Sequence, residues 1–463
     1  MIQHIVTYHS SLINLSLINL SLSTLNSQFS TFNYLPMKEA VLHYIWQHKL
    51  FVQHGLRTTD GESVVIIDVG TLNTNAGPDF FNAKIKIGKT IWAGNVEIHT
   101  CSSDWNKHNH QSDPAYNNVI LHVVKQVDIP VFLADGEKVP QLELQYSDSI
   151  ERNYTSLLAS KLWVPCGEKM MQLSDFDVSH WMTALLIERM SDRVQDIKSL
   201  LTFNNHFWEE AFFCQLCRSF GFSVNGDVFF NMGKSVPWIV IQKNQNSLFQ
   251  LEALLFGQSG LLSKSTSTDE YVGKLKQEYA FQQQKYQLQM IAPELWKLLR
   301  MRPDNFPQIR IAQLVALLYH HKKLFSKIID QPDVRAISAI FENIEPSEYW
   351  NTHYLFGIES VEKTKRIGIR SIHQIIINAV VPMLCCYAAY KNNQELHDKA
   401  IAMLDELPPE NNYIIRKWTA LGCKVESAAD SQSLLHLYKH YCEEKKCLRC
   451  SIGYKLLTSS SNL

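Results

Sequence analysis

Hydrophobic positions follow two spacings along the chain, one strand-like and one helical. Over residues 38–50 the apolar side chains Val41, Leu42, Ile45 and Trp46 fall three and four apart, which predicts a helix. After the TTDGES turn, the β-branched run 64–67 reads as a buried strand, and 80–87 and 91–98 follow as two more, separated by Gly88 and Lys89. The segment CSSDWNKHNHQSDPAYNNV carries the cap residues Ser102, Ser103 and Asp113, with Pro114 suited to a first helical position, and predicts a short helix. Residues 119–124 read as a further buried strand, and PVFLADGEKVPQLELQ as a hairpin around Asp135 and Gly136. Residues 149–177 read as a connecting segment. From Val178 helical spacing dominates, over 181–201, 208–220, 248–255, 279–299, 309–329, 372–390 and 433–443, with 236–242 as a short β-prone piece. The expected fold class is α+β, with a mixed α/β sheet domain over 37–148 and a mainly helical region over 178–463.

Composition narrows this picture. A chain of 463 residues with 46% hydrophobic and 19% charged residues can bury two or three cores, which excludes disordered and fibrous classes. The net charge of -1 leaves nucleic-acid binding to local patches, and every apolar cluster is interrupted well short of the roughly 18 residues of a membrane span, so no membrane partner is expected. Residues 1–36 contain SLINLSLINLSLSTLNS, without the basic start and small-residue cleavage site of a secretory signal; they read as a disordered or artefactual leader, with Met37 as an alternative start to Met1. Ten cysteines without such a signal point to a reducing, cytoplasmic setting.

The chemistry concentrates between Gly77 and His99. Residues two apart on a strand share a face, so Glu97 and His99 project together, and Asp79 opens the preceding strand beside Pro78. Asp79 and Glu97 form a candidate two-carboxylate site for Mg²⁺ or Mn²⁺; the alternative is a turn-capping aspartate and an exposed glutamate. His99, His108, His110 and His122 fall in the same unit, and His-x-His can chelate a softer ion such as Zn²⁺. His122, in a buried strand, reads as a core histidine bonded to backbone, while His108 and His110 are candidates for contacting phosphate. Cys442, Cys447 and Cys450 have C-x4-C-x2-C spacing, a candidate zinc or iron–sulfur site that needs a fourth ligand from Cys423, His440 or Cys166. The alternative is a set of thiols at a helix end. Arg300, Arg302 and Arg310 lie in a basic stretch between Lys297 and Lys327 that could neutralise phosphates or be a solvated helix face. No P-loop, dinucleotide fingerprint or GxSxG elbow occurs.

The order helix, three strands, helix, strand, with Pro78-Asp79 on the second strand and Glu97-Ile98-His99 on the third, resembles the PD-(D/E)xK nuclease core over roughly 38–125. This resemblance implies a divalent cation held by the two acids, with Glu39 in the place of the first-helix acid of many such nucleases. His99 replaces the lysine of that pattern and lacks a fixed positive charge near neutral pH. It would instead position water or ligate the metal. Some nucleases of that class also carry an iron–sulfur staple built from distant cysteines. The stretches GPDF, GNVEIH, DWNKHNH, EALLFGQSGLL, RPDNFPQIRIAQL and CLRCSIG are together similar to an uncharacterised bacterial family known as a domain of unknown function, from Met37 to about Leu457. The expected function is a metal-dependent nuclease or a nuclease-derived protein binding DNA or RNA. The alternatives are a non-catalytic protein-interaction role and hydrolysis of another substrate at a His-rich metal site.

Overall fold

The computed structural model describes residues 37–459 except 168 and 332, so the leader proposed for 1–36 lies outside the described residues. The chain divides into two compact units. The first comprises 37–166 together with 445–459, and the second 167–444. The fold is α+β, with the larger sheet in the first unit and helices dominating the second.

In the first unit, α1 (Met37–Gln47) is followed by β1 (Val64–Asp68), β2 (Thr71–Leu72), β3 (Phe80–Ile87), β4 (Thr90–Cys101), β5 (Val119–Gln126) and β6 (Gln141–Glu143). The sheet order is β1-β3-β4-β5-β6, with β2 beside β3. Strands β1, β3 and β4 pair antiparallel, whereas β4, β5 and β6 run parallel. The two ends of β4 differ for this reason: Thr90–Ala93 are exposed, while Val96–His99, flanked by β3 and β5, are buried. Gly94 lies where β4 meets the chain entering β5; a Cβ there would come within 2.7 Å of the Asn118 carbonyl oxygen. Helix α1 packs on β4, burying Val41, Leu42, Ile45 and Trp46 as the spacing predicts, and the Trp46 indole donates to the Val69 carbonyl at 3.0 Å.

The expected hairpin around Asp135 and Gly136 is present but short, with one antiparallel bridge between Phe132 and Lys138 and the Leu133 and Val139 N–H groups donating to the Glu137 and Val131 carbonyls, after which β6 joins β5 in parallel. The connecting segment contains a helix, Asp148–Ala159, whose buried face is Ile150, Tyr154 and Leu157, at helical spacing. That helix packs against Ser451–Thr458, with the Asn153 amide donating to the Leu456 and Leu457 carbonyls at 3.3 Å.

The second unit opens with the helix Asp175–Phe203 and continues through Trp208–Phe220, which matches its predicted bounds. Most of the β-prone piece 236–242 is helical instead, in the helix Trp238–Asn244 that starts after Pro237, because Trp238, Val240 and Ile241 bury against the helical core. The long helix expected over 279–299 begins earlier, at Glu270, and ends at Tyr286, where Gln287 takes a left-handed conformation. Within residues 369–391 an 18-residue window has a mean hydropathy of 1.6 and is mostly buried inside the protein, with a π-helical turn at Ile376–Val380. Its apolar character is that of a core helix. A buried carboxylate in this unit, Glu252, accepts hydrogen bonds from Tyr271, Ser347 and Trp350, so its lone pairs are satisfied.

Candidate metal centre

The centre is built on the buried half of β4. Glu97 and His99 point to one face, and Glu97 stands in register with His122 of β5, so the His122 side chain emerges on that face too. Alternation along β3 breaks near Asn82, which adopts φ 57° at a register shift between Phe80 and Ala83. The bulge keeps both Phe80 and Ala83 buried, and leaves Asp79 free of the strand parity that Lys84 and Lys86 obey on the exposed side. The Asp79 N–H donates to Glu97 Oε2 at 3.1 Å, and Asp79 Oδ2 accepts from the Ile98 N–H at 2.9 Å. Each carboxylate therefore bonds backbone of the other's strand, so Asp79 and Glu97 stand side by side where β3 meets β4.

Helix α1 adds Glu39 and His43, four residues apart and so on one helical face. Both are buried, and His43 Nε2 lies 3.1 Å from Asp79 Oδ2. His43 was not among the site residues expected from sequence, although its spacing from Glu39 was the available signal.

The third contribution is the loop between β4 and β5. It is pinned at its start by the Ser102 hydroxyl, which donates to Asp128 at 2.7 Å, and by the Ser103 N–H, which donates to the same oxygen at 2.8 Å. A single helical turn, Asp104–Lys107, then places Trp105 in a small core with Tyr116, Val119, Val131 and Val139. Asn109 takes the left-handed conformation and turns the chain back, so that His110 stacks on Tyr116 with ring centroids 3.8 Å apart. Two short 3-10 turns, His110–Ser112 and Pro114–Tyr116, replace the rest of the expected helix. His108 Nδ1 consequently lies 3.0 Å from His99 Nε2, and His110 Nε2 lies 3.2 Å from Glu97 Oε1. His122 bonds to another ring rather than to backbone, with its Nε2 2.9 Å from His99 Nδ1.

Burial sets the protonation of this cluster. It raises Glu39 to about 7, with the nearby Asp79 adding to the rise and His43 opposing it. Glu97 is raised well above the ordinary carboxylate range, first by burial and then by Asp79. His110 is lowered to about 4 and His122 to about 3, in both cases chiefly by burial, and His99 is lowered as well, by burial and then by the neighbouring imidazoles. Neutral imidazoles are the ligating form. The Nε2 atoms of His43 and His110 are buried without a hydrogen bond, although each lies within 3.2 Å of a carboxylate oxygen. Such close approach without hydrogen-bond alignment is what ligand atoms directed at a common ion would show.

These shifts fix the direction of a pH effect. In metal-free protein, the stability lent by protonated Glu39 is present below its ordinary value of 4.5 and lost as pH rises through about 7, and Glu97 acts in the same sense. His110 and His122 contribute stability that is present above 6.5 and lost as pH falls through about 4 and about 3 respectively. A divalent cation bound there would displace the carboxylate protons. The rise in melting temperature on adding Mn²⁺ is therefore expected to grow between about pH 5 and about pH 8, and to grow less in Glu39→Gln. Differential scanning calorimetry across that range checks it.

The remaining expected residues fall elsewhere. Arg300 and Arg302 are exposed in the second unit. Arg310 is only 6% exposed, and its guanidinium donates to Asn305, Gln313 and Ser371 and covers the Phe222 ring. Cys447 and Cys450 belong to the first unit and Cys442 to the second, all three buried. Burial raises the Cys447 thiol to about 11. Cys214 and Cys217 are core residues of Trp208–Phe220. A further group with ligand spacing, Asp192 with His436 and His440, lies within the second unit, where His436 also contacts Glu188 at 3.3 Å.

Comparison with curated proteins and with solved structures returns no match. The family described as "Protein of unknown function (DUF2851)" matches residues 39–413, which cover α1, the larger sheet and most of the helical unit. The chain belongs to this family of proteins of unknown function.

Proposed function

We propose that the first unit is a divalent-metal-dependent phosphodiesterase acting on DNA or RNA, with Glu39, Asp79 and Glu97 holding a hard cation and His43 beside them. The observation that carries the reading is the meeting of Asp79 and Glu97 where β3 and β4 lie side by side, under the face of α1 that presents Glu39 and His43. The resemblance of the element order to the PD-(D/E)xK core belongs to this proposal. When bound, the cation would neutralise charge on a phosphodiester and lower the pKa of an attacking water. The protein's part is to gather carboxylates whose burial makes them avid for a cation, and to hold them with backbone N–H groups at fixed geometry. His99 is held neutral by its surroundings, so it supplies no fixed positive charge in the place of the nuclease lysine. The histidine cluster favours a second reading, hydrolysis of another substrate at a His-rich metal site.

Labelled single- and double-stranded DNA and RNA, incubated with Mg²⁺ or Mn²⁺, test the proposal. Wild type is expected to cleave at least one of them, with the activity abolished by chelation. Asp79→Asn should lower the rate by about 100-fold or more, the scale of losing one charge-stabilising group. Cleavage unaltered by Asp79→Asn or by chelation would remove this site from the reaction.

A further inference from the structure

We infer that Glu97, His99, His108 and His110 form a four-ligand site for a borderline divalent transition ion, with zinc the best fit. The site is distinct from the all-carboxylate position beside Asp79, and shares Glu97 with it. Among the described residues, the ring nitrogens of His99, His108 and His110 meet the spacing of a metal cluster. The separations around the cluster are 3.0 Å from His99 Nε2 to His108 Nδ1, 3.5 Å from His99 Nε2 to Glu97 Oε1, and 3.2 Å from His110 Nε2 to Glu97 Oε1. A tetrahedral zinc ion with ligands at about 2.0–2.1 Å has ligand–ligand edges of about 3.3 Å. The three separations bracket that edge, and the three histidine nitrogens lie within 4.8 Å of one another, so the donors are already gathered on the scale that such an ion requires.

Two further observations point the same way. His110 is only 7% exposed, yet its Nε2 has no hydrogen-bond partner although it faces Glu97, an arrangement that wastes a buried polar atom unless something else meets its lone pair. His99, 2% exposed, engages His122 through Nδ1; with the Nδ1 proton on that bond, Nε2 turns its lone pair toward His108 and Glu97. An acceptor on the far nitrogen of a ligating imidazole fixes the tautomer of a metal ligand; a carboxylate, carbonyl or water is the usual one, and here His122 Nε2 stands in that place. The chemistry of the donors sets the ion class. Three imidazoles and one carboxylate suit zinc and its neighbours, whereas magnesium prefers oxygen alone. Glu97 divides its oxygens accordingly: Oε1 faces the histidines, and Oε2 accepts the Asp79 N–H on the acidic side. His108, exposed at the rim, gives the ion a route from solvent.

The inference does not depend on the hydrolytic reading, since it requires only that these four side chains bind an ion. The test is titration of chelator-treated full-length protein with Zn²⁺ by calorimetry, and with Co²⁺ by visible absorption. Wild type should take up an equivalent of Zn²⁺ that Mg²⁺ does not displace, and its Co²⁺ form should show the intense visible bands of a four-coordinate ion with nitrogen and oxygen ligands. His110→Ala and the rim variant His108→Ala should each lose that equivalent and those bands. Asp79→Asn should keep both. Because His108 is exposed, its variant tests the site even if His110→Ala does not fold. Unchanged zinc stoichiometry and cobalt spectrum in His108→Ala would overturn the proposal, as would wild type that takes up no zinc. Retained zinc in a protein that cleaves no nucleic acid would support this site and count against the phosphodiesterase reading alone.

Discussion

Replacing Glu97 with glutamine is expected to remove divalent-dependent cleavage to background, a loss of about 10³-fold or more, and to abolish binding at both proposed cation positions. Glu97 is the one carboxylate that touches both sides: Oε2 lies on the Asp79 backbone, and Oε1 lies within 3.5 Å of two histidine Nε2 atoms. A glutamine has nearly the same shape but offers a neutral and weaker donor atom. It also spares the buried position an ionisable group raised well above the carboxylate range, so the metal-free variant should be at least as stable as wild type above neutral pH. Calorimetric metal titration alongside a melt of the metal-free proteins checks both halves. Wild-type cation affinity in Glu97→Gln would show that the ion lies elsewhere.

The second large effect concerns the loop that delivers His108 and His110. Trp105 is fully buried among Tyr116, Val119, Val131 and Val139, donates its indole N–H to the Phe132 carbonyl at 3.2 Å, and stands 5.3 Å from the His110 ring and 5.2 Å from the His122 ring. Trp105→Ala should cost about 3–5 kcal/mol of stability from the cavity alone. It should also weaken zinc binding, because the turn that fixes both histidines is left without its anchor. Trp105→Phe keeps most of the volume and should restore most of the stability, which separates packing from chemistry. Denaturant unfolding of the three proteins gives the comparison, and a stability loss under about 1 kcal/mol in the alanine variant would mean that the loop is held by something other than this core.

Much of this could be read from spacing, and the exceptions have physical causes. The strand Phe80–Ile87 and the helix Trp208–Phe220 match their predicted bounds because each has an apolar pattern of a single period with turn residues outside it. Residues 236–242 read as strand because Val236, Ile239, Val240 and Ile241 are β-branched, but packing against neighbouring helices outweighed that local preference. Residues 149–177 have too many polar side chains to announce a helix, yet Ile150, Tyr154 and Leu157 suffice once a neighbouring helix covers them. In the candidate metal centre, Glu97 and His99 were legible from strand alternation and Asp79 from its place beside Pro78 at the start of β3, although the bulge at Asn82, which breaks the count along that strand, was not. His108 and His110 were visible as a His-x-His pair, but their inward direction depends on the left-handed Asn109 and the buried Trp105, which no periodicity encodes. The burial of Arg310 was not legible either: its charge suggested the surface, while its two terminal nitrogens donate to Asn305, Gln313 and Ser371.

That these carboxylates and imidazoles are ligands, rather than a hydrogen-bonded core, is open to direct observation. Crystals of the full-length protein soaked separately with Mn²⁺ and Zn²⁺, with anomalous data collected at each metal's absorption edge, test it most directly. The prediction is an anomalous peak bounded by Glu97, His99, His108 and His110 in the zinc data, and one between Asp79 and Glu97 in the manganese data. Crystals that diffract well and show no anomalous peak within bonding distance of Glu97 in either soak would contradict it.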